Sequence, residues 1–179
     1  EVPYGSEGEI RISGPNVMLG YYNNEKETNA ALHIHSDGNV WLHSGDLGVM
    51  DKNGFIKYTG RLKRLIVTSG YNVYPVQIEE VLEKHQAVML SSVVGIPHPY
   101  KQEVPKAYIV LNKGYRETEE LVKELKELCA KNLPRYAKVY EFEFRKSLPR
   151  TMVGKVDFRK LQEENNKLRK KEKDEEEKI

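Results

Sequence analysis

Apolar and polar residues alternate through residues 7–13, EGEIRIS, which places Ile10 and Ile12 on one side of the chain. That two-residue period marks a half-buried strand, and Gly14-Pro15-Asn16 ends it. A short polar helix is expected near residues 25–33. In DLGVMDKNGFIKYTG, residues 46–60, two apolar runs meet through Asn53-Gly54. This dipeptide suits positive φ at both centres of a tight turn, so the stretch predicts a β-hairpin. Everything up to about residue 60 reads as strand-rich, part of a small barrel or sheet.

From residue 61 the pattern changes. RLKRLIVTSGYNV is basic and then apolar, and YPVQIEEVLEKH follows with Pro75 at a first helical position. Ile78, Val81, Leu82 and His85 recur at the offsets of one helix face. Strands are expected in AVMLSSVVGI (87–96), KAYIVLN (106–112) and KVYEFEF (138–144). A helix over 117–133 lines Leu121, Val122, Leu125, Leu128 and Cys129 on one side and stops at Pro134. A last helix is expected over 158–170. The charged run KLRKKEKDEEEKI has almost no apolar face and reads as solvated, frayed helix. The expected fold class is α+β, a strand-rich barrel fragment followed by a small α+β domain. The domains are set at 1–62, 63–165 and a tail of 166–179, with the break near Arg61 to Lys63.

Composition narrows the function classes. With 179 residues, 39% hydrophobic and 31% charged, the chain can bury a core and is not a disordered tail. A net charge of +2 gives no basic stripe of the kind nucleic acid requires. No apolar run approaches the roughly 18 residues of a membrane helix. The single cysteine, Cys129, has no disulfide or metal-ligating companion and is expected to be a buried thiol in a reducing, cytoplasmic setting. The first residue is Glu1 rather than Met, and a strand begins almost at once, so a piece of a longer protein is expected.

Four stretches carry candidate chemistry. WLHSGDLG puts Asp46 after a Ser-Gly turn, where a carboxylate accepts hydrogen bonds from a diol such as a ribose, or simply caps the turn. GRLKRL sets Gly60, Arg61, Lys63 and Arg64 at the composition break, either to meet phosphate or ribose oxygens or as a solvent-facing basic loop. TSGYNVYP places Gly70 in a polar turn where a ligand or another backbone can approach closely, unless it is an ordinary turn glycine. PRTMVGKV holds Lys155 behind Gly154, on a turn from which its stem can reach a neighbouring cleft or merely solvent.

Read in order, GYYNNEKET, WLHSGDLG, YTGRLKRLIVTSGYNVYPVQIEEVL, LPRYAKVYEFEF and PRTMVGKVDFRKL resemble the successive C-terminal signatures of the adenylate-forming superfamily. That superfamily includes acyl-CoA synthetases, peptide-synthetase adenylation domains and firefly luciferases. The resemblance covers about residues 7–162. It implies a large domain and a small mobile one that enclose ATP and a carboxylic acid, form an acyl-adenylate and then pass the acyl group to a thiol. By the same resemblance Asp46 holds the ribose hydroxyls, Tyr58 packs beside the nucleoside and Arg61 contacts the ribose. Lys63 is the hinge, Lys155 is the catalytic lysine of adenylation, and Ser69, Gly70 and Tyr71 lie along the pantetheine arm of CoA.

Three positions depart from the family's habit: Arg64 stands where an acid often follows the hinge, Val67 where Lys is usual, and Asn72 where many members carry Arg or Gln. The family's phosphate loop, acid pocket and Mg²⁺ contacts are expected upstream of these residues, so the chain alone is expected to be inactive. The first expectation is an AMP-forming acyl-CoA synthetase using a fatty or other carboxylic acid, ATP and CoA. The alternatives are an amino-acid or aryl-acid activating enzyme that loads a carrier protein, and a non-catalytic interaction module.

Overall fold

In the computed structural model, the backbone of residues 1–176 and the side chains of residues 1–168 are described. The chain divides into two compact units, Glu1–Lys63 and a second that begins at Arg64. Among the described residues the two units hold a mixed α+β structure with two sheets and four α-helices.

In the first unit β3 (Val40–Met50) is the central strand. β1 (Glu7–Ser13) pairs along one edge, while β2 (Leu32–Ile34) and β4 (Ile56–Arg61) share the other, all antiparallel. The polar helix α1 spans Glu25–Ala31, capped by Asn24, whose side chain accepts from Glu27 N–H at 3.2 Å. It ends two residues before the expected position because Leu32 turns away to pair with Leu42.

The β3–β4 hairpin forms as the pattern predicts, but not with the expected turn. Asn53 is not in the left-handed region; of the loop residues only Gly54 is, at φ +86°. The connection is a five-residue loop in which one Asp51 carboxylate oxygen accepts from both Asn53 N–H (2.8 Å) and Phe55 N–H (2.9 Å). A side chain that gathers two backbone donors stabilises this longer loop over the two-residue one.

The second unit is a sheet covered on both faces. β8 (Gln102–Leu111) lies at its centre, antiparallel to β7 (Val88–His98) on one side. On the other side it pairs with β5 (Ile66–Thr68) at one end and, in parallel, with β9 (Glu141–Phe144) further along. β6 (Tyr71–Val73) completes the sheet beyond β5. Alternate residues of β8 serve different cores. Ala107 and Ile109 face α2 (Pro75–Leu82) and α3 (Glu119–Asn132), joining Ile78, Leu82, Leu121, Leu125 and Cys129. Val104, Tyr108 and Val110 join Leu148 and Leu161 on the face of α4 (Phe158–Glu176). A strand buried on both faces carries the near-continuous apolar run seen in the sequence.

Cys129 is buried as expected, and burial pushes its thiol up to about 11. The strand expected over 138–144 begins only at Glu141, because Arg135–Ala137 closes a 3-10 turn and Ala137 and Val139 drop into the core. The last helix runs beyond residue 170, to Glu176. The expectation for the charged tail rests on side chains that mostly lie outside the described residues. Among the described residues no helix is long and apolar enough to cross a membrane.

The second unit holds the tight turn that the sequence suggested for Asn53-Gly54. Thr68 and Tyr71 are cross-strand partners, and between them Ser69 (φ +49°) and Gly70 (φ +82°) both take positive φ, the signature of a type I′ hairpin. An L-residue other than Asn, Asp or Gly is strained there by about 1–2 kcal/mol. Ser69→Asn is therefore expected to stabilise the chain by up to ~1 kcal/mol and Gly70→Ala to destabilise it by about 1–2 kcal/mol, as read by urea unfolding.

A half-buried charge network ties α4 to the sheet. Lys106 reaches Glu143 at 3.0 Å, and Arg145 bridges Glu143 and Glu164 at 2.7 Å each. Burial opposes ionisation of Glu143, but hydrogen bonds from Lys106 and Arg145 outweigh it and hold the carboxyl below its usual range. A carboxyl depressed in the folded state stabilises above its unfolded value, and that contribution is lost as the pH falls through the folded one. Stability is thus expected to drop between about pH 5 and pH 3. Glu143→Gln should shallow that drop in urea midpoints measured across the range.

Candidate functional site

Three groups of candidate residues are formed by local backbone geometry. In the first unit, Asp46 on β3 lies directly opposite Arg61 on β4, and Gly48 lies opposite Tyr58. Residues two apart on a strand share a face, as do cross-strand partners, so Asp46, Arg61 and Tyr58 share one face. Arg61 and Tyr58 are three apart in sequence, and they meet on that face only because the register shifts opposite Leu47 and Gly48. Gly48 is closely packed: a Cβ there would lie 3.0 Å from Lys57 O and 3.0 Å from Ile10 Cδ1.

Arg61 Nε donates to Asp46 Oδ1 at 2.7 Å, with the side chains 55% and 29% exposed. A pair this open contributes only about 0–1 kcal/mol, so a ligand can take over its bonds at little cost. The backbone before Asp46 is fixed: Ser44 Oγ donates to Ile10 O at 2.5 Å and accepts Asp46 N–H at 3.1 Å, while Gly45 takes φ +70°. Gly45 N–H also donates to Glu9 Oε1 at 3.2 Å, a support that the sequence did not suggest. Burial disfavours the Glu9 anion, yet hydrogen bonds from Arg11 and Gly45 keep its carboxyl below the ordinary range. The result is a carboxylate and a guanidinium presented side by side with a phenol on one open face. This arrangement accepts hydroxyl protons and donates to ring or phosphate oxygens.

The second group is the β5–β6 turn. Ser69 and Gly70 form its tip, and Ser69 N–H donates to Lys101 O at 3.0 Å, which fixes the tip against the β7–β8 connection. Tyr71, the third CoA candidate, is stacked on Tyr136 with centroids 4.7 Å apart and planes 7° from parallel. Tyr136 escaped the sequence reading. It lies inside the LPRYAKV stretch, but no periodicity marks a residue on a 3-10 turn.

Lys155 forms the third group on its own. Its loop is closed by its own backbone: Thr151 N–H donates to Lys155 O (2.7 Å), Gly154 N–H to Thr151 O (2.9 Å) and Asp157 N–H to Pro149 O (2.8 Å). Arg150 Nη1 adds a bond to Gly154 O at 2.6 Å, and Gly154 takes φ +81°. Leu148 at one end is buried, and Val156 and Phe158 at the other pack on the same core. The exposed ammonium of Lys155 has no hydrogen-bond or ion-pair partner among the described residues. Lys63 closes the first unit, within the 3-10 turn Leu62–Arg64. Asp46, Tyr58 and Arg61 thus belong to one unit, and Ser69, Gly70, Tyr71 and Lys155 to the other.

Comparison with known proteins shows what this chain is similar to. Residues 77–155 match the AMP-binding enzyme C-terminal domain. A long-chain-fatty-acid–CoA ligase of Bacillus subtilis is 43% identical over 162 residues, covering 90% of this chain and 27% of the relative. Among solved structures, o-succinylbenzoate CoA synthetase of Bacillus subtilis, bound to its acyl-adenylate intermediate, aligns with a TM-score of 0.75 and 35% identity over 87% of this chain and 30% of its own. ATP-bound MatB from Rhodopseudomonas palustris aligns with a TM-score of 0.77 and 32% identity over 90% of this chain and 31% of its own. The chain therefore spans about a third or less of the length of these relatives. The homologues of this chain are thus long-chain-fatty-acid–CoA ligases and related adenylate-forming enzymes, and its residues 77–155 match the AMP-binding enzyme C-terminal domain.

Proposed function

We propose that this chain is the C-terminal part of an AMP-forming acyl-CoA synthetase. Residues 1–62 are then the end of a large domain and 63–165 a small domain that rotates about Lys63. The observation that carries this reading is the ammonium of Lys155, held on a self-bonded loop with no ion-pair partner among the described residues. A cation kept unpaired on an internally bonded loop is suited to charges that arrive from elsewhere.

In the first half-reaction a carboxylate oxygen attacks the α-phosphorus of ATP, and the bond to pyrophosphate breaks. Asp46 accepts the ribose hydroxyls, Arg61 donates to the sugar oxygens and Tyr58 lies along the nucleoside. The ammonium of Lys155 sits between carboxylate and phosphate, relieving the repulsion of two anions as they close. A unit charge pair at 4 Å is worth about 4 kcal/mol at an effective dielectric near 20, and losing one such preorganised contact costs about 100- to 1000-fold in rate. In the second half-reaction the thiol of CoA attacks the acyl carbon, AMP leaves and the thiol proton passes to solvent. The Ser69–Gly70 turn and Tyr71 then line the approach of the pantetheine arm. Among the described residues no group of three His, Cys, Asp or Glu side chains is placed to hold a metal.

A fatty acid is the favoured substrate because of the long-chain-fatty-acid–CoA ligase relative. The o-succinylbenzoate enzyme keeps aryl acids in the panel to be assayed.

In the full-length protein, Lys155→Gln is expected to slow adenylation by about 100- to 1000-fold while leaving thioester formation from a preformed adenylate within about threefold of wild type. Equal loss in both half-reactions would contradict the role. The 179-residue chain alone is expected to release no pyrophosphate from ATP in the presence of any acid of the panel. Release above a no-protein control would show that it carries a phosphate site of its own.

A further inference from the structure

Arg64 stands directly after Lys63, where the first unit ends and the second begins. Its side chain folds onto the body of the second unit and is only 20% exposed. Nη2 donates to Glu79 Oε1 on α2 and lies 3.3 Å from Val93 O on β7. The same Glu79 oxygen accepts Val93 N–H at 2.7 Å, so one carboxylate atom joins helix, strand and guanidinium. The guanidinium also covers the ring of Phe158, its carbon 5.0 Å from the centroid. Phe158 is the first residue of α4, three beyond Lys155, and packs on the core that also holds Leu148. Leu148 and Phe158 flank the two ends of the Lys155 loop.

Stability alone does not account for an arginine here. Its Nε is buried with no partner among the described residues, a cost that an apolar side chain of similar volume would not carry. The planar guanidinium does what no other side chain does at this spot, donating in its plane to Glu79 and Val93 while its face lies on an aromatic ring.

We propose that Arg64 is a positioning residue that couples rotation at Lys63 to the placement of the Lys155 ammonium, by locking the first residue of the moving unit to Phe158 at the foot of the loop. This rests on the reading of Lys63 as hinge and Lys155 as the adenylation cation. Rotation about one backbone position carries a body along faithfully only if the next residue is fixed to that body. Slack matters, since a displacement of about 1 Å at a reacting centre costs on the order of 100-fold.

The test uses the full-length protein with Arg64→Lys, Phe158→Leu and the double variant. Arg64→Lys keeps a cation for Glu79 but not the flat face on Phe158. It is expected to lower kcat for adenylation by roughly 10- to 100-fold. Its KM for ATP should stay within about twofold, because the groups that hold the nucleotide are untouched. Its thermal midpoint should stay within about 2 °C of wild type. Phe158→Leu is expected to lower the same kcat, and the double variant to be no slower than the slower single, as two parts of one linkage behave. Wild-type kcat in Arg64→Lys, multiplicative losses in the double variant, or a kcat that falls only together with the thermal midpoint would each overturn the proposal. Wild-type enzyme that forms no adenylate, or Lys155→Gln that equals wild type, would instead remove the reading beneath it.

Discussion

A cation that is to meet two anions has to be carried to them unpaired, and under the proposed function that constraint falls on the second unit. A lysine beside an acid of its own domain would be neutralised before it arrived. Residues 149–157 are closed by three backbone hydrogen bonds of their own, use Arg150 to bind Gly154 O, and leave the Lys155 ammonium with no partner among the described residues. Three acids of this unit are engaged elsewhere: Glu79 with Arg64, Glu143 with Lys106 and Arg145, Glu164 with Arg145. Those ion pairs tie α2, β9 and α4 into the second unit, and none of them includes Lys155.

The first unit follows the opposite plan. Asp46 and Arg61 neutralise each other on an open face, at a distance of 2.7 Å. An exposed pair is inexpensive to exchange, and each partner keeps the geometry the other imposed. The register shift in the β3–β4 ladder and the crowding around Gly48 place Tyr58 on the same face. What the sequence shows as three residues spread over sixteen positions becomes one cluster through strand pairing alone.

Much of this was legible in the chain. The alternation in residues 7–13, Pro75 at the start of α2 and the spacing of Leu121, Leu125 and Cys129 each led to an element in its expected place, because each rests on local periodicity. The β5–β6 pair did not show, since three-residue strands carry too little pattern, and neither did β2, which exists only by pairing with β3. The type I′ turn was assigned to Asn53-Gly54 and lies at Ser69-Gly70 instead. Asp51 captures two backbone donors in the first loop, and strand pairing imposes positive φ on a serine in the second. Asp46, Arg61 and Lys155 were singled out by motif, but the groups that support them, Glu9 behind Gly45 and Arg150 on Gly154 O, were not. Arg64 looked like a departure from habit, and only packing against Glu79, Val93 and Phe158 gives it a role.

The central claim is that the unit beginning at Arg64 moves as a body between two stages of one reaction. It is tested most directly by the distance between a spin label at Lys52, in the first unit, and one at Val153, on the exposed tip of the Lys155 loop, in the full-length protein. With ATP and a non-reactive acid analogue the account predicts one narrow distance distribution, and with a stable adenylate analogue and CoA a second, clearly separated one. A single distribution, unchanged between the two ligand states, would contradict it.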